Sequence, residues 1–302
     1  MKKTTGNKFN VYQAVTDKVI EALEKGVAPW SRPWKTIQSG EYRNAVTGRH
    51  YRGMNVLLLN ISSMINGYTD PRWLTYKNAE AKGGNVKKGE KGTQVIFWQF
   101  FNKEDTKKDG ITKNKSIPFA RAYTVFNVAQ CENLNLPELE VKEEIEDTDI
   151  NEIISQFMTL PDLIHGGNKA CYSPSFDRIT MPEKVNFNTT DHYHSTFCHE
   201  LVHWTGNVKR LDRDLKNRFG SEAYAFEELV AEMGSAFLGS FAGIPFDGMQ
   251  HPEYIASWLK RLKEDNKAIF TASSKAQEAS DWILKASGYV KDEEIQEEAI
   301  AA

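Results

Sequence analysis

The chain has 302 residues, 40% hydrophobic and 26% charged, enough to bury a real core and too apolar for a disordered tail. No apolar run approaches the roughly 18 residues that span a bilayer, and no apolar stretch follows the lysines of the amino terminus, so a cytoplasmic protein with no membrane partner is expected. Three cysteines, Cys131, Cys171 and Cys198, lie far apart without a CxxC pair, which argues against a disulfide framework and a cysteine zinc site.

The net charge of −3 conceals an asymmetry: residues 1–135 carry 22 Lys and Arg against 11 Asp and Glu, a balance of +11, and the remainder carries −14. Such a split predicts a first half that meets a polyanion and a second half with other work. The composition shifts in the acidic stretch around Pro137, which lacks aromatic residues. The expected organisation is a first domain over 1–135, an acidic linker over 136–150 and a second domain over 151–302.

In chain order, Val11, Val15, Val19 and Leu23 recur every four residues, predicting an amphipathic helix over Asn10 to Lys25 that Gly26 can end. Gly, Pro and aromatic residues then punctuate the chain to Asn60. Val95 to Phe101 and Ala122 to Val128 are rich in β-branched and aromatic residues and read as strands. A helical pattern follows from Ile150 to Leu160, then a short strand or hairpin over Tyr172 to Met181. Helices are predicted over Asp191 to Trp204, Ser221 to Phe241, Glu253 to Asp265 and Ser273 to Ser287. The fold class is α+β, with two domains, the second mainly helical.

His199-Glu200-Leu201-Val202-His203 is an HExxH motif. Positions i and i+4 share one helix face, so both imidazoles can reach one ion, with Glu200 beside them to take a proton from a water. This composition yields about 0.014 such matches by chance, so the motif is a signal. Asp191 or Thr190 can cap the helix and Gly206 can end it. A catalytic zinc needs a third protein ligand. The apolar helix around Glu227-Glu228-Leu229-Val230-Ala231-Glu232 offers Glu228 for it, with Glu232 one turn on to orient a ligand histidine and Glu227 as the competitor for the metal. His192 and His194 are expected at the surface or as caps, His165 and His251 in loops, and Cys198 as a core thiol. Tyr172 and Tyr224 are candidates either for bonding a tetrahedral intermediate or for the core.

The basic half mixes its cations with aromatic residues: Trp30-Ser31-Arg32-Pro33-Trp34-Lys35, Tyr42-Arg43-Asn44, Arg49-His50-Tyr51-Arg52, Arg72-Trp73 and Tyr76-Lys77. Single-stranded nucleic acid is bound by such surfaces, cations following phosphates and rings stacking bases. Gly83 to Gly92, basic and Gly-rich, reads as a phosphate-contacting loop without the context of a P-loop. The expected DNA contacts are Trp30, Arg32, Trp34, Lys35, Arg43, Tyr51, Arg52, Asn55, Trp73, Lys87, Lys88 and Lys91, with about half of the half's aromatics, Phe97 and Phe126 among them, in the core.

Taken together these residues resemble the ArdC-type antirestriction proteins of mobile genetic elements, over nearly the whole chain. In the first half the resemblance rests on Tyr51-Arg52-Gly53-Met54-Asn55, Trp73-Leu74-Thr75-Tyr76, Val86 to Thr93 and Tyr123-Thr124-Val125-Phe126-Asn127. In the second it rests on His199 to Gly206, Arg210-Leu211 and Tyr224 to Glu232. It implies a single-stranded DNA-binding domain followed by a zincin-like metallopeptidase domain. The glutamate helix is also similar to the gluzincin pattern NExxSD, whose second position binds zinc and whose sixth supports a histidine. These fall on Glu228 and Glu232, with Glu227 where the pattern has Asn and Ala231 where it has Ser.

The implied function is protection of incoming mobile-element DNA, carried on a plasmid or phage, from host restriction. The cofactor is Zn2+ or another divalent metal such as Mn2+. The expected partner is single-stranded DNA, joined by a protein of the host restriction machinery if the metal site cleaves peptides. Two other functions fit the same residues: a DNA-tethered metalloprotease that cleaves a host protein, and a single-strand coat whose metal is purely structural.

Overall fold

The computed structural model describes residues 10–30, 42–106, 112–138, 147–215, 221–244 and 254–290, with side chains omitted at 98–106, 112–119 and 147–148. The first helix, α1 (Val11–Glu24), is capped by Asn10, whose side chain accepts from the Gln13 N–H at 3.3 Å, and buries Val15, Val19 and Leu23. The short strand β1 (Arg43–Asn44) precedes α2 (Met54–Asn66), which the expected elements did not include. Five of its thirteen residues are Asn or Ser, which favour turns and caps over helix interiors and mask the apolar recurrence. In the fold α2 lies between two cores: Met54, Leu57, Leu58 and Ile61 enter the main one, and Leu59 enters the smaller one under the sheet.

β2 (Arg72–Thr75), α3 (Tyr76–Ala81), β3 (Asn85–Val86), β4 (Thr93–Thr106), β5 (Thr112–Asn127) and β6 (Cys131–Glu132) complete the first half. A four-stranded sheet runs β1-β2-β5-β4, parallel between β1 and β2 and antiparallel elsewhere, while β3 pairs with β6. Asn55 locks α2 to β4: its side chain donates to Ile96 O at 2.8 Å and accepts from Ile96 N at 2.7 Å. The Gly-rich stretch has a packing reason, since a Cβ at Gly84 or Gly92 would collide with Glu132 O or with the Thr124 side chain.

The second half begins with α4 (Asp147–Met158), which starts inside the stretch expected as linker; residues 139–146 lie outside the described ones. β7 (Asp162–His165), β8 (Cys171–Ser173) and β9 (Arg178–Met181) form a three-stranded sheet in the order β7-β9-β8, with β8 at an edge. Four α-helices follow among the described residues: α5 (Thr190–Thr205), α6 (Glu222–Ala242), α7 (Ile255–Glu264) and α8 (Ala268–Ala286). The whole is α+β, as expected, and no helix among the described residues is long and apolar enough to cross a membrane.

The two halves share a core. Val15, Val19, Trp30 and Leu57 from the first cluster with Phe197, Val202, Trp258 and Ile283 from the second. Trp30 packs edge-on against Trp258 at 5.6 Å, and Thr16 Oγ1 donates to Asn266 O at 2.8 Å. Burying such large side chains at the junction stabilises the pair of halves as one unit.

Candidate metal centre

The HExxH segment lies on α5, whose start is capped by Thr189, one residue before the caps expected: its side chain accepts from His192 N at 3.1 Å. α5 is covered on most sides, burying Phe197, Cys198, Leu201 and Val202. α6 is capped by Ser221 and crosses α5 closely; a Cβ on Gly234 would meet Val202 Cγ2 at 2.8 Å. Ser235 Oγ donates to Ser195 O at 3.0 Å, fixing the crossing. Glu228, nearly two turns before Gly234, is thereby carried onto the two histidines.

His199 Nε2 and His203 Nε2 are 3.1 Å apart. Glu228 Oε2 is 3.3 Å from His199 Nε2, and Glu228 Oε1 is 3.6 Å from His203 Nε2. One donor atom from each residue lies within 4.8 Å of the others. Ligands about 2.1 Å from a tetrahedral ion stand about 3.4 Å apart, so this buried donor set, two imidazoles and a carboxylate, fits a divalent metal. As the side chains stand, burial lowers the His203 pKa, but hydrogen bonds and charge from Glu227 and Glu228 outweigh it and hold the imidazole well above its ordinary range. Glu228 loses solvation on burial, yet His199 and His203 hold it well below the usual carboxylate range. The site therefore already favours positive charge between these groups.

The adjacent glutamates face different ways. Glu227 Oε1 lies 3.3 Å from His203 Nδ1, the nitrogen turned away from Glu228, and is held by Arg213 Nη2 at 2.8 Å. Glu232 is wholly buried one turn further along α6. Glu200 Oε2 accepts the Tyr172 backbone N–H of edge strand β8 at 2.7 Å. The Tyr172 hydroxyl donates to Asp177 Oδ1 at 2.9 Å and accepts from Asn207 Nδ2 at 2.7 Å. Arg210 also pairs with Asp177 and stacks its guanidinium 3.8 Å over Trp204. The Tyr224 hydroxyl is hydrogen-bonded to Glu228, and burial first, then that carboxylate, push its pKa up.

His194 is buried, against the expectation of a surface position, because α5 is enclosed even in its first turns; His192 is exposed. His165 ends β7, with Nε2 2.7 Å from the Tyr193 hydroxyl, and His251 lies outside the described residues. Arg213, Asp177 and the Tyr172 backbone were not expected at the site. A charged residue after a helix reads as solvated loop, and a backbone donor leaves no signature in sequence.

Several expected DNA contacts are interior. Trp30, Tyr51, Asn55 and Trp73 are buried, so none of them offers a face to a base: Trp30 and Trp73 pack in cores, Tyr51 joins the core under the sheet, and Asn55 is committed to Ile96. Arg52 is paired with Asp281, and Arg43 is half-buried in β1. Lys87, Lys88 and Lys91 are exposed, with Lys87 Nζ donating to Ala129 O at 2.9 Å. Arg32, Trp34 and Lys35 lie outside the described residues. Phe97 and Phe126 are partly buried against the cores, in line with the expectation for them.

Residues 9–126 match the N-terminal domain of the anti-restriction factor ArdC, and residues 150–275 match a zincin-like metallopeptidase domain. The metal-free crystal structure of the antirestriction ArdC protein from the R388 plasmid superposes with a TM-score of 0.78 at 34% identity, covering 94% of this chain and all of that one. The chain belongs to the ArdC antirestriction family. The Mn(II)-bound R388 structure matches with a TM-score of 0.76 at 35% identity. The protein y4eC of Sinorhizobium fredii is 36% identical over 288 residues, covering 93% of this chain and 94% of that protein. DNA primase TraC of Escherichia coli is 39% identical over 291 residues, and the chain spans only 27% of its length. The zincin-like domain and the Mn(II) form agree with a divalent metal at the His199, His203 and Glu228 set.

Proposed function

We propose that this chain protects incoming mobile-element DNA from restriction by binding it as a single strand, and that it carries a metallopeptidase-type centre on His199, His203 and Glu228 with Glu200 as the proton acceptor. The observation that carries the centre is the convergence of the His199, His203 and Glu228 side chains, with Glu200 next to His199 on the same helix. A divalent ion held there supplies Lewis acidity, polarising an oxygen and easing its deprotonation near neutral pH. Glu200 is held by a backbone N–H that keeps its carboxylate oriented as an acceptor. The His203 Nδ1 contact with Glu227 fixes the ring so that Nε2 faces the shared point.

For the DNA, Lys87, Lys88 and Lys91 follow phosphates. Tyr76, 50% exposed and adjacent to Lys77, supplies a ring to stack on. It belongs to the same surface as the lysine turn: Tyr76 packs edge-on against Phe126, whose ring tip lies where a Cβ on Gly92 would meet it at 3.0 Å.

Glu200→Gln separates occupancy from hydrolysis. The variant keeps its metal, its fold and its single-strand affinity. Restriction protection equal to wild type supports protection by occupying DNA, the reading favoured by the +11 half. Loss of protection with metal and DNA binding intact overturns it in favour of a DNA-tethered protease acting on a host protein.

A further inference from the structure

Arg213 lies in the loop leaving α5, yet its side chain is only 3% exposed. All three of its guanidinium nitrogens donate hydrogen bonds. Nε donates to Glu227 Oε1 at 3.2 Å and Oε2 at 3.1 Å, and Nη2 donates to Glu227 Oε1 at 2.8 Å and to Val202 O at 2.6 Å. Nη1 donates to Thr205 Oγ1 at 2.8 Å. Two of these partners, Val202 and Thr205, flank His203 on α5, and the third is the carboxylate that touches His203 Nδ1.

Glu227 and Glu228 are consecutive, both buried, and both approach His203, at 3.3 and 3.6 Å. A free carboxylate at 227 would be a second hard oxygen donor beside the ion and an uncompensated buried charge. The planar guanidinium removes both options by taking the two oxygens of Glu227 together, a geometry an ammonium cannot reproduce. We propose that Arg213 is a positioning residue that decides which of the two adjacent glutamates binds the metal, locking Glu227 onto His203 Nδ1 and leaving Glu228 as the third ligand.

This inference rests on the metal centre proposed above, and its test is a double-mutant cycle read as metal affinity. Zn2+ affinity is measured by competition with a chelating dye for wild type, Arg213→Met, Glu227→Gln and the double variant, with the visible spectrum of the Co2+-loaded proteins recording ligand geometry. Arg213→Met weakens Zn2+ binding by about 10–100-fold and changes the Co2+ spectrum, because Glu227 is released toward the ion. In the Glu227→Gln background, whose amide oxygen still accepts from Nδ1–H, the same substitution adds less than about threefold. Arg213→Lys, which keeps the charge and the fold without the bidentate geometry, falls between wild type and Arg213→Met. An equal loss from Arg213→Met in both backgrounds, or an unchanged Co2+ spectrum in Arg213→Met and Arg213→Lys, overturns the proposal while leaving the metal centre in place. A wild type that binds neither Zn2+ nor Co2+ overturns both.

Discussion

Arg52 and Asp281 form an ion pair across 229 residues of chain, joining the entry to α2 with α8. The backbone N–H of Gly53 adds a bond to Gln277 Oε1 at 2.9 Å. Arg52 thus serves the junction between the halves. Arg52→Ala and Asp281→Ala should each lower stability by about 1–3 kcal/mol, because each removes one half of a partly buried ion pair. Single-strand affinity of the folded Arg52→Ala protein should stay within about twofold of wild type. A large affinity loss with unchanged melting temperature would return Arg52 to the DNA surface.

Gly234 allows α6 to press on Val202 of α5. Gly234→Ala should drive the helices apart, lowering stability by about 1–3 kcal/mol despite the better helix propensity of alanine, and weakening Zn2+ binding by separating Glu228 from the histidines. Calorimetry and metal titration of the same preparation check both. An alanine variant more stable than wild type would show that the crossing has room to relax.

Trp73 and the exposed lysines should behave in opposite ways. Trp73 is fully buried, so Trp73→Ala should cost about 3–5 kcal/mol of stability. Replacing Lys87, Lys88 and Lys91 by alanine should leave the melting temperature nearly unchanged. It should also flatten the dependence of log affinity for single-stranded DNA on log salt, by about 0.7 for each phosphate that the protein no longer neutralises. Tyr76→Ala should weaken binding with little change in that slope, since stacking releases few counterions. Salt titrations on a labelled oligonucleotide read all three.

The hydrogen bond from Arg210 lowers the Asp177 pKa from 3.8 to about 2, against burial and with help from Tyr172 and Lys209. A carboxyl with a depressed folded-state pKa stabilises the fold fully above its unfolded value, and that contribution disappears as pH falls from about 4 toward 2. Asp177→Asn should therefore be less stable at neutral pH and show a shallower acid-induced loss between pH 4 and 2, as urea unfolding at several pH values will read. Parallel curves for the two proteins would remove Asp177 from the acid response.

Ligands that converge from two helices couple metal binding to folding. Removing the metal with a chelator should lower the melting temperature of wild type. It should have no effect on His199→Ala, which elemental analysis should find without stoichiometric metal. Full occupancy in that variant would exclude His199 as a ligand.

The sequence by itself determined the features that are local. The i, i+4 spacing of His199 and His203 puts two imidazoles on one face of any helix they form, and the four-residue recurrence of Val11, Val15, Val19 and Leu23 marks α1 for the same reason. Tertiary structure decided what depends on neighbours distant in the chain. Trp73 and Tyr76 both sit beside basic residues in sequence, but one is enclosed by α2 and the sheet and the other is half exposed. Composition states that a ring is present, and only packing states which side of the surface it is on. α2 was missed because its Asn and Ser residues read as turn formers, and only the packing of Leu57 and Leu58 on one core and Leu59 on another shows what they interrupt. The sequence favoured Glu228 over Glu227 as a ligand, but not the contacts that separate the two. Adjacent helical positions point about 100° apart, and it was the crossing at Gly234 and the reach of Arg213 that turned Glu228 to both imidazoles and Glu227 to the back of His203.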